Sequence, residues 1–70
     1  MKTYLTKTLI NQAKRKDEKV GFHFKGKINY ITFEGDKLII TTPSADKIKA
    51  DYNNIKVNHL LEDLREIYYE

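Results

Sequence analysis

The apolar residues of this chain repeat with two different periods, and the period changes twice. Leu5, Leu9, Ile10 and Ala13 fall on one stripe at about 100° per residue, the spacing of a helix with one buried side. From Val20 the period drops to two. Val20, Phe22 and Phe24 alternate with Gly21, His23 and Lys25, as in a strand with one buried face. Near the end the helical period returns, with Leu60, Leu61, Leu64, Ile67 and Tyr68 on one side. No segment can satisfy both periods, so the chain reads as helix, strands, helix.

The turn chemistry divides the middle. Gly26-Lys27 marks a tight turn or bulge, and Glu34-Gly35-Asp36-Lys37 is the clearest hairpin turn. Between them, Ile28 to Glu34 reads as a strand with Ile28 and Tyr30 on one face and Ile31 and Phe33 on the other. That pattern suggests a central strand, or one with a helix on each side. Leu38 to Thr42 is a third strand, ended by Pro43, which cannot donate to a ladder. In residues 44–54, Ile48, Ala50 and Tyr52 alternate with Lys47, Lys49 and Asp51, which predicts a fourth, edge strand. A short helix capped by Ser44 is the rival, and Asn53-Asn54 signals a turn.

The first helix is predicted over residues 4–16, with Thr3 as N-cap and Lys14-Arg15-Lys16 at the negative end of its dipole. The last is predicted to start at Asn58 as N-cap, with Glu62 and Asp63 near the positive end. Short loops favour antiparallel pairing, because parallel strands need long crossovers. The expected fold is α+β: one small domain of 70 residues, an antiparallel three- to four-stranded meander flanked by an N-terminal and a C-terminal helix. A chain this short buries only about 60% of its unfolded surface. It has no cysteine to staple the core, so a partner, including a second copy in a homodimer, would add stability.

Charge is unevenly spread. Residues 1–37 hold nine Lys/Arg against four Asp/Glu, and residues 38–70 hold four against six, for a net +3 overall. A basic part suits a polyanion and an acidic part suits a basic partner. No apolar run is long enough to span a membrane, and the N-terminus lacks the apolar core of a signal peptide. A cytoplasmic protein with no membrane contact is expected.

Catalytic signatures are missing from the sequence. Ser44, the one serine, sits in a loop after Pro43, and no glycine-rich phosphate loop is present. His59 with Glu62 and Asp63 at i+3 and i+4 has ligand chemistry, but one short helix offers too few ligands for a closed metal site. His23 reads as a surface or second-face residue. No enzyme activity, metal or cofactor is expected.

Binding is better supported. Lys7, Lys14 and Arg15 lie on the polar side of the first helix, which runs into Lys16 and Lys19. Lys25 and Lys27 flank the first turn, with Tyr30 close by. Lysines attract phosphate without regard to sequence, and an exposed aromatic on a sheet can stack a base. The expected partner is nucleic acid, or a protein complex that handles it. The alternative is an inhibitor or adaptor, of the kind phages and mobile elements carry, meeting a protein through Glu62, Glu66, Tyr68 and Tyr69.

Overall fold

The computed structural model describes residues 3–69. Six main elements follow one another: α1 (Lys7–Lys16), β1 (Val20–Phe24), β2 (Lys27–Glu34), β3 (Lys37–Thr41), β4 (Lys47–Asp51) and α2 (Val57–Tyr69). A 3-10 turn, Tyr52–Asn54, precedes α2. The strands form one antiparallel sheet in the order β1-β2-β3-β4, the meander of a small α+β domain. Residues 47–51 are the edge strand that the alternation predicts, and no helix capped by Ser44 forms.

The register decides the two faces. Residues directly opposite in an antiparallel pair share a face. Phe22 opposes Asn29, Ile31 opposes Ile40, Leu38 opposes both Phe33 and Ala50, and Ile40 opposes Ile48. Phe22, Ile31, Leu38, Ile40 and Ile48 pack in one cluster with Leu5, Leu9, Ile10 and Ala13 from the N-terminal part and Leu60 and Leu64 of α2. Both helices therefore cover the same face. β2 is an inner strand, as its apolar character predicts, but only one of its faces carries helices.

Several boundaries differ from the sequence reading. The third strand runs Lys37–Thr41 rather than Leu38 to Thr42, and Tyr52, read with the fourth strand, opens the 3-10 turn, where its N–H donates to the Asp36 carbonyl at 2.8 Å. The first helix begins at Lys7, and its N-cap is Thr6, not Thr3: the Thr6 hydroxyl accepts from the Leu9 N–H at 3.1 Å. Thr3 and Tyr4 are extended instead. The Thr3 carbonyl accepts from the His23 N–H at 2.6 Å, and Tyr4 bridges His23 in parallel, which covers part of the free edge of β1. The first turn sits one residue early. Lys25 and Gly26 both take positive φ, 51° and 75°, so they form the loop and Lys27 already belongs to β2. The last helix starts at Val57, because the Lys56 carbonyl accepts from the N–H of both His59 and Leu60. Asn58 is therefore inside the first turn rather than its cap, and Glu62 and Asp63 lie beyond the turn where the dipole is strongest.

The second hairpin follows the sequence. Glu34 pairs with Lys37 across Gly35-Asp36, with Gly35 at φ 61°. Among the described residues no helix is long and apolar enough to cross a membrane.

Candidate nucleic-acid interface

The sheet face turned away from the helices is assembled row by row from distant parts of the chain. Tyr4 lies beside His23, which opposes Ile28. The next row runs Gly21, Tyr30, Thr41, Lys47. The third runs Thr32, Ile39, Lys49. Lys19, the residue before β1, lies outside the paired register and reaches this face with its side chain. There the Lys19 ammonium sits 4.3 Å from the centroid of the Tyr30 ring. The last row is Glu34, Lys37, Asp51.

Gly21 explains how the aromatic row packs. A Cβ at that position would lie 3.4 Å from Tyr30 Cε1 and 3.5 Å from Ile28 Cγ2. Tyr30 and Ile28 thus close over the space a side chain would fill, and they remain partly open to solvent. Among the described residues four large hydrophobics are exposed: Tyr4, Ile28, Tyr30 and Tyr69. Three of them stand on this face, in adjacent rows. Nδ1 of His23, in the same patch, is buried without a hydrogen-bond partner among the described residues. The first three rows carry Lys47 and Lys49, with the Lys19 ammonium over Tyr30, and no carboxylate; Glu34 and Asp51 are confined to the fourth, on either side of Lys37.

The residues singled out from the sequence fall in three places. Tyr30 alone is on this face. Lys7, Lys14, Arg15 and Lys16 are on α1. Of these, Lys14 is occupied within the fold: its ammonium donates to the Gly35 carbonyl at 3.1 Å and lies 3.5 Å from the Asp36 carboxylate. Lys7 is 5.7 Å from the centroid of the Tyr52 ring, whose hydroxyl donates to Asn11 Oδ1 at 2.8 Å. Arg15 and Lys16 are exposed in the last turn.

Lys25 and Lys27 form a third group with the C-terminal tyrosines. The Lys25 ammonium is 4.8 Å from the Tyr69 ring centroid, and that of Lys27 is 6.0 Å from the Tyr68 ring. Tyr68 packs on Phe24 with ring centroids 5.6 Å apart, and its hydroxyl donates to Oδ1 of the fully buried Asn29. The Asn29 amide in turn donates to the Lys27 carbonyl at 3.3 Å. The basic hairpin and the tyrosines, read from the sequence as separate surfaces, are therefore neighbours. Glu62 and Glu66 line a shallow depression with Arg65 and Tyr69 on the outer side of α2. Glu70, four residues after Glu66 and on the same side by helical spacing of the sequence, lies outside the described residues. Among the described residues no three His, Asp or Glu side chains come together as a metal site.

Tyr4, Ile28, Lys47 and Lys49 were not site candidates from sequence. The lysines at alternate positions of β4 read as guards of a sheet edge. Only the register reveals that the face they share carries Tyr30. No known protein family, curated protein or solved structure matches the chain.

Proposed function

We propose that the protein is a non-enzymatic binding module that contacts nucleic acid through the helix-free face of its sheet. The observation that carries this reading is the composition of three adjacent rows: Tyr4, Ile28 and Tyr30 interleaved with Lys47 and Lys49, with the Lys19 ammonium over Tyr30 and no carboxylate among them. Lysines attract phosphates and aromatic rings stack bases, and the combination fits a ligand that is both polyanionic and flat-faced. Stacking contributes about 1–3 kcal/mol per base. The exposed Lys19–Tyr30 contact contributes about 0.5–1 kcal/mol, so a base competes well for the ring. The face suits a second copy less well, because a two-fold contact would gather Lys19, Lys47 and Lys49 of both copies into one interface whose aromatic rows hold no carboxylate to offset them. The cytoplasm, where nucleic acid is accessible, is the compartment this function implies.

A protein partner is the second reading. It rests on Tyr69, which is 78% exposed beside Glu62, Arg65 and Glu66. Tyr68 fits that role poorly, since its hydroxyl is engaged by buried Asn29. The deciding experiment is a titration of the purified protein against labelled single- and double-stranded DNA and RNA at low and high salt. Binding to at least one form, weakening steeply with salt, is expected. No binding to any of the four at low salt would remove the nucleic-acid reading and leave the protein partner.

A further inference from the structure

We infer that the ligand of this face is a single strand lying across the β-strands, and that Lys19 leaves the Tyr30 ring for a phosphate when it binds. The inference deepens the nucleic-acid reading and depends on it.

A duplex hides the faces of its bases and is entered through its grooves by a protruding helix or ribbon. Here the rings lie on a sheet with lysines around them, an arrangement that can stack only bases already freed from their neighbours. The positions of the rings set the direction. Tyr4 is bridged to β1, and Tyr30 is on β2, the second neighbour across the sheet. Adjacent strands are about 4.8 Å apart and adjacent rows on one face about 6.8 Å, so the two positions are roughly 12 Å apart along a diagonal. Lys47 continues the Tyr30 row on β4. One polynucleotide meets Tyr4, Tyr30 and Lys47 only by crossing the strands.

Lys19 occupies a face of the central ring. Its ammonium is 4.3 Å from the Tyr30 centroid, so a base stacking on that side takes its place. The base brings a phosphate with it, and the flexible lysine stem keeps the displaced charge within reach of that phosphate. The ammonium thus exchanges one weak attraction for a charge-assisted one.

The test follows Lys19 directly. In the free protein its ε-methylene proton resonances should be shifted upfield by the Tyr30 ring current. Saturating oligothymidine should return them toward the ordinary lysine position. Lys19→Ala should lower the salt slope of oligothymidine binding by about 0.7, which makes the loss about fivefold greater at the lower of two salt levels tenfold apart. Lys19→Arg should keep the wild-type slope. Tyr30→Leu, which still covers Gly21, should lose about tenfold or more in affinity, and Tyr30→Phe should retain it. Equal affinity for a blunt duplex, a ring-current shift that persists in the complex, or an unchanged slope for Lys19→Ala would each overturn the inference while leaving nucleic-acid binding intact. Wild-type protein that binds no nucleic acid would overturn both.

Discussion

Asp17 ends α1 in the left-handed region, at φ 53° and ψ 40°, with its N–H donating to the Ala13 carbonyl. A side chain there costs about 1 kcal/mol that glycine avoids, and the carboxylate also faces the negative end of the helix dipole. Asp17→Gly is therefore expected to stabilise the fold by up to about 1 kcal/mol, raising the melting temperature by about 4–8 °C. A lower melting temperature would show that the carboxylate has a favourable partner outweighing both effects. Asn29 works in the opposite direction. It is fully buried, and Tyr68 is the residue that pairs its Oδ1. Tyr68→Phe should cost about 1–2 kcal/mol, because it strands a buried acceptor. A double-mutant cycle with Asn29→Ala should give a coupling energy of about 1 kcal/mol in chemical denaturation. Additive losses would mean that the hydrogen bond does not hold α2 to the first hairpin. Neither residue announces these roles in the sequence. Asn29 stands between Ile28 and Tyr30 and reads as a polar interruption, and its partner is thirty-nine residues away.

At the scale of elements, the two helices and four strands were legible because apolar spacing reports which side of an element is buried, and that is what packing acts on. Leu64, at the centre of the last stripe, is fully buried in the cluster that joins both helices to the sheet. Leu64→Ala should cost roughly 2–4 kcal/mol, a large share of what a small domain has. An unchanged thermal melt would mean that α2 does not dock. The amides of β2 should exchange more slowly than those of residues 17–19, since β2 is paired on both sides and the connection after α1 is polar. The reverse order would contradict its place inside the sheet. Boundaries were less legible, for physical reasons. Leu5 enters the core whether residues 3–6 are helical or extended, so the stripe cannot distinguish them. The choice is made by the Thr6 cap and by the open edge of β1, and the latter exists only once the sheet has formed.

At the scale of the molecule, the uneven charge along the chain does not become two opposite ends. Lys25 and Lys27 reach the C-terminal tyrosines, Lys14 is held by Gly35 and Asp36, and the lysines on the open sheet face come from both halves of the sequence. The candidate interface was hidden because register, not sequence proximity, brings Tyr4, Lys19, Tyr30, Lys47 and Lys49 together. Charge counting points to α1 and the first turn with Tyr30, and of those residues only Tyr30 lies on the open sheet face. The most direct test compares the salt dependence of nucleic-acid binding in two double variants, Lys47→Ala/Lys49→Ala on the sheet and Arg15→Ala/Lys16→Ala on the helix. All four side chains are exposed, so both variants should fold. The sheet variant should flatten the slope by about 1.4, two phosphate contacts at about 0.7 each, and the helix variant should leave it near the wild-type value. A flattened slope for the helix variant, with the sheet variant unchanged, would contradict the account and return the interface to α1.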